Sequence, residues 1–159
     1  MKEKTTFFTN KFDDQNIMTG EETYNLIGFS MDYTIANELI KKFKGLNLHW
    51  NCEDKSRITW DFLKRGTLVI GSLKIWNAER DASYGFEYHP PLEFHAWIEE
   101  RVNGKKIIYD LALPGVILKG LEIKDEYGII LDGRQPVILT GEAPDWLEYT
   151  GREYYLERG

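Results

Sequence analysis

Three residues of this 159-residue chain can do chemistry together: its single cysteine, Cys52, and a histidine and an aspartate fifteen residues apart, His95 and Asp110. A thiol attacks an acyl carbon as the thiolate, and both a helix N-terminus and a neighbouring imidazolium favour that form. With Cys52 as nucleophile, His95 takes its proton and returns it to the leaving group, while Asp110 fixes the imidazole tautomer. Such a set runs acyl transfer through a thioester, on an amide or ester in a peptide or a small acylated molecule. The backbone amide of Cys52 is a candidate oxyanion donor, Asn51 or Trp50 is a candidate for a second, and Trp50 and Trp97 are candidates to line a cleft. His49 competes with His95 as the base but falls on a short connecting segment, and His89 precedes Pro90-Pro91 in a loop.

The elements that must position these residues can be read from periodicity. Residues 52–64 form a helical segment with Asn51 as N-cap, Glu53 and Asp54 in the first turn and Gly66 just past the end, so Cys52 opens a helix. An earlier helix runs from Asp32, with Ile35, Ala36, Leu39, Ile40 and Phe43 at three- and four-residue steps until Gly45. The period then changes to two. Residues 67–76 read as a strand, residues 77–91 as a polar, aromatic loop, and residues 92–102 as a long strand with His95, Trp97 and Glu99 on one face. Asn103-Gly104 is a strong two-residue hairpin signal, and residues 105–113 form the return strand. With that turn Val102 faces Lys105 and Trp97 faces Asp110, so His95 and Asp110 are diagonal neighbours on one face, their Cβ atoms roughly 7 Å apart. Trp97 on an otherwise polar face predicts that this face is covered. The helix from Cys52, with the stripe Cys52, Ser56, Thr59 and Leu63, is the expected cover.

Further short strands are expected at residues 116–123, 128–131 and 137–139. Residues 1–22 read as a loosely ordered arm, and residues 143–159 show no pattern that assigns an element. Helices followed by antiparallel strands predict a single α+β domain over residues 23–159, with helices packed on one sheet. The composition, 42% hydrophobic and 14% aromatic, supplies a core. A net charge of -6 provides no basic footprint for nucleic acid, and no stretch reaches the run of about 18 apolar residues that a membrane helix needs. Neither nucleic acid nor membrane is an expected partner. The start has no secretory apolar region, which predicts a cytoplasmic protein. A lone cysteine makes no internal disulfide, and without a second cysteine or a His-x-x-x-His pair no zinc site is expected and no cofactor is called for. Cys52 is then either a free core thiol, packing as a small hydrophobe, or a working one.

The order and context of the candidates resemble the transglutaminase-like branch of the papain-like cysteine proteins. The resemblance rests on Asn51-Cys52-Glu53, Leu68-Val69-Ile70-Gly71, His95-Ala96-Trp97-Ile98-Glu99 and Ile107-Ile108-Tyr109-Asp110, and spans about residues 32–120. The step from His95 to Asp110 is similar to that of the bacterial members and of the arylamine N-acetyltransferases. The resemblance implies a papain-like fold and a Cys52, His95, Asp110 triad. The chain departs from the branch in having Asn51 where a glycine usually precedes the cysteine and Leu111-Ala112 where Pro-Thr usually follows the aspartate. It has Leu48-His49-Trp50 where the acetyltransferases carry Arg-Gly-Gly. Relatives include hydrolases, transferases, deamidases and inactive proteins. The alternative reading is therefore a catalytically inactive domain of the same fold, acting as a binding or interaction module through the loop 77–91 and residues 146–155.

Overall fold

The computed structural model describes residues 3–12, 18–28, 34–35, 38–39, 52–77, 79–113, 116–117 and 137–158. The chain is α+β, with helix α1 (Cys52–Leu63) packed on an open, mainly antiparallel sheet. The strands are β1 (Glu3–Phe12), β2 (Met18–Gly28), β3 (Gly66–Trp76), β4 (Ser83–Phe86), β5 (His95–Val102), β6 (Lys105–Asp110), β7 (Val137–Gly141) and β8 (Leu147–Arg158). Their order is β1-β2-β7-β6-β5-β3, and the β2–β7 pair is parallel. Strand β8 pairs along one edge of β3, while β5 and then β4 share the other.

Residues read from the sequence as an arm hold β1 and the start of β2, which pair antiparallel and join the sheet through β7. The arm reading followed the polar, Asn- and Asp-rich composition, which says little about an edge hairpin held by backbone bonds. The loop expected over residues 77–91 contains β4, and the terminal segment without a readable pattern is the long strand β8. Val116 and Ile117 are helical rather than extended. The other expected strands, at 118–123 and 128–131, fall outside the described residues, as does most of the early helix, of which Thr34, Ile35, Glu38 and Leu39 are helical.

The hairpin forms in the register that its turn dictates. Val102 pairs with Lys105, Glu100 with Ile107 and Ile98 with Tyr109. Asn103 (φ 52°) and Gly104 (φ 78°) both take the left-handed conformation, as a turn matched to strand twist requires. Strict alternation then divides the sheet into two apolar faces. Leu68, Ile70, Ala96, Ile98 and Tyr109 face α1, which buries Ser56, Thr59 and Leu63 against them. Val69, Leu73, Ile75, Trp97, Ile108 and Tyr149 form the second core on the opposite face, closed by Leu113, Val116 and Ile117.

This division corrects one expectation. The face that carries His95 and Trp97 is not covered by α1, which lies on the other side of the sheet. It is covered instead by aromatic residues of β4 and β8 and by the segment after β6. The helix tip still reaches the site because His95 opens β5 and Asp110 closes β6, which puts both at the end of the ribbon away from the turn.

Candidate active site

The sequence-derived pairing of His95 with Asp110 is present. His95 Nε2 lies 2.7 Å from Asp110 Oδ2, with both side chains almost wholly excluded from solvent. Two other donors hold the same carboxylate. The Tyr149 hydroxyl donates to Oδ2 at 2.7 Å, and the Ala112 amide donates to Oδ1 at 3.0 Å. A buried carboxylate demands such partners, and three donors account for both of its oxygens. Aromatic rings enclose the imidazole: Phe86 lies nearly parallel to it with centroids 6.1 Å apart, and Trp97 stacks at 5.9 Å.

Burial alone pulls the His95 ring toward the neutral form. The charge and hydrogen bond of Asp110, joined by Cys52, overcome this and raise its pKa from 6.5 to about 10. The other ring nitrogen, Nδ1, is buried and has no hydrogen-bond partner among the described residues. Cys52, half-buried at the first position of α1, favours the charged ring through a hydrogen-bonding approach as well as through charge, but the approach stops short of a fully formed hydrogen bond to Nδ1. Loose contact between nucleophile and base is common in unliganded sites, where it tightens only when substrate binds.

Lys55, one turn after Cys52, is almost completely buried. Burial lowers its pKa from 10.5 to about 8, against the opposing pull of Asp110 and Cys52. Trp97 is fully buried, its indole N–H donating to Glu99 at 3.0 Å, so it forms a wall behind the imidazole rather than the lining of an open cleft. Asn51 and Trp50, the candidate oxyanion donors, and His49 lie outside the described residues. His89 is exposed and stands near Glu87, apart from the site.

Sequence reasoning missed Tyr149, Lys55 and Phe86. Lys55 carried a signal, since a residue three positions after Cys52 shares its helical face. Tyr149 and Phe86 carried none, because β8 and β4 reach the site only through pairing with β3. Among the described residues no three histidine, cysteine, aspartate or glutamate side chains converge in a way that would hold a metal ion, and no helix is long and apolar enough to cross a membrane. Comparison with protein-family models, with curated proteins and with solved structures gives no match to this chain, so the functional reading rests on the geometry of these side chains.

Proposed function

We propose that the chain is a thiol-dependent acyl-transfer enzyme of papain-like, transglutaminase-like fold, an amide or ester hydrolase or an acyltransferase acting on a peptide or small acylated substrate. The observation that carries this reading is the buried 2.7 Å contact of His95 Nε2 with Asp110, which leaves Nδ1 without a hydrogen-bond partner among the described residues, next to a helix that begins with a thiol. With its pKa raised to about 10, the ring holds a proton at neutral pH, so the site rests as an imidazolium that favours the thiolate form of Cys52. The Cys52 sulfur then attacks the acyl carbon, and the tetrahedral adduct collapses to a thioester as the proton on Nδ1 passes to the departing amine or alcohol. Water or a second nucleophile gives its proton to Nδ1 and releases the acyl group from sulfur. Asp110 remains ionised throughout and holds the ring in one tautomer.

Alkylation by iodoacetamide tests the reading without a known substrate. At neutral pH Cys52 is expected to react at least about tenfold faster than free cysteine, and His95→Ala is expected to remove that advantage. Equal rates for the protein and free cysteine would sink the enzyme reading and favour an inactive domain that serves as a binding module.

A further inference from the structure

Asp110 is held in a way that the proton transfers alone do not explain. Its Oδ2 accepts two hydrogen bonds of 2.7 Å, one from His95 Nε2 and one from the Tyr149 hydroxyl. The terminal torsion of an aspartate is soft, so a carboxylate held by one donor rotates readily. Here donors from β5, from β8 and from the segment after β6 fix its plane. The Tyr149 ring is itself fixed, meeting Trp97 edge-on at 4.9 Å and tilting against His95 at 6.2 Å. Burial first, and then the charge and hydrogen bond of Asp110, raise the Tyr149 phenol well above its usual range, so it stays a donor wherever the protein is folded.

We propose that Tyr149 is a positioning residue that clamps Asp110 onto His95 and so directs the imidazole Nδ1 toward Cys52. The proposal rests on the acyl-transfer reading above and ties the C-terminal strand β8 to reactivity at a helix nearly a hundred residues earlier. A purely structural role is the competing explanation, since a buried tyrosine hydroxyl needs some partner. The two differ in what they do to His95. Because phenol and imidazole share one oxygen, the phenol draws charge from the oxygen on which the imidazolium depends. Removing the hydroxyl returns that charge to His95, whereas a stronger donor takes more of it. The titratable or charged groups around this cluster are Cys52 and Lys55 from α1, His95 from β5 and Tyr84 from β4, with Lys106 of β6 reaching the Tyr149 carbonyl at 3.5 Å and Glu99 of β5 at 3.4 Å.

The test compares the wild-type chain with Tyr149→Phe and with 3-fluorotyrosine incorporated at position 149, a more acidic phenol of nearly the same shape. Nuclear magnetic resonance follows the His95 ring through its titration, and iodoacetamide reports on Cys52. In Tyr149→Phe the His95 midpoint is expected to rise by about one pH unit, the equivalent of one hydrogen bond to a charged group. Alkylation is expected to slow about tenfold because the released carboxylate no longer aims Nδ1 at Cys52, the opposite of what the higher midpoint alone would do. The fluorinated protein is expected to shift the midpoint the other way, and it carries the test if the phenylalanine variant does not fold. A His95 midpoint that stays put in the folded variants, or Cys52 alkylation in folded Tyr149→Phe that keeps the wild-type rate, overturns the clamp whatever the thermal stability. Failure of the acyl-transfer reading shows separately, as wild-type alkylation no faster than that of free cysteine.

Discussion

Asp110→Asn tests the site through folding stability, and the size and pH dependence of its effect follow from the contacts. Among the described residues three donors end on Asp110: His95 Nε2, the Tyr149 hydroxyl and the Ala112 amide. Asparagine has one acceptor oxygen, so its NH2 must face either the first two donors or the third. A buried donor left without a partner costs about 1–3 kcal/mol, and removing one member of a buried ion pair costs about 3–5 kcal/mol. The two costs overlap, and the variant is expected to lose about 3–5 kcal/mol at a pH just below 6.5. The sign of the pH dependence is fixed by His95, whose pKa is raised on folding from 6.5 to about 10. A group raised on folding contributes stability that is fully present below its unfolded value and is lost as pH rises through its folded value. The gap between wild type and variant is therefore expected to be widest just below pH 6.5 and to shrink by about half or more as pH approaches 10. Lys55 acts in the same direction, because Asp110 favours its charged form and loss of the carboxylate penalises the buried ammonium most where it is protonated. Urea unfolding of both proteins, followed by circular dichroism at a series of pH values, measures the gap. A gap that stays flat across this window would refute an imidazolium–carboxylate pair at the centre of the site.

Other expectations follow from single contacts. His95→Ala is expected to slow Cys52 alkylation to the rate of free cysteine, and Tyr149→Phe to slow it about tenfold while the His95 titration moves upward, both by the assays given above. Gly71 pairs with His95 on one side and with Gly151 on the other, and a Cβ there would lie 2.0 Å from the Thr150 carbonyl oxygen. Gly71→Ala is therefore expected to separate β8 from β3 or abolish folding, measured as a fall in thermal midpoint together with loss of Cys52 reactivity. Trp97→Ala removes the largest fully buried side chain among the described residues and is expected to cost about 3–5 kcal/mol in urea unfolding.

Much of the site was legible because it depends on local rules. An Asn-Gly pair fixes a two-residue turn, the turn fixes register, and register with a period of two places His95 and Asp110 on one face, which is how the hairpin is built. The acidic first turn and the glycine beyond its end likewise marked α1, which begins at Cys52. Which face α1 would cover was not legible, since Trp97 on the His95 face showed that something buries it without showing what. The answer came from β4 and β8, whose places beside β3 depend on pairings between segments as far apart as Leu73 and Tyr149.

The sequence by itself determined the candidate residues, their order and the geometry of the ribbon, because helix starts, hairpin turns and strand alternation are set by neighbours a few positions away. Only the tertiary structure decided that Tyr149 shares an oxygen with His95, that Lys55 is buried beside the thiol and that α1 lies on the face opposite the imidazole. These depend on how separate amphipathic elements exclude water from one another, and that is a property of the assembled sheet rather than of any one segment.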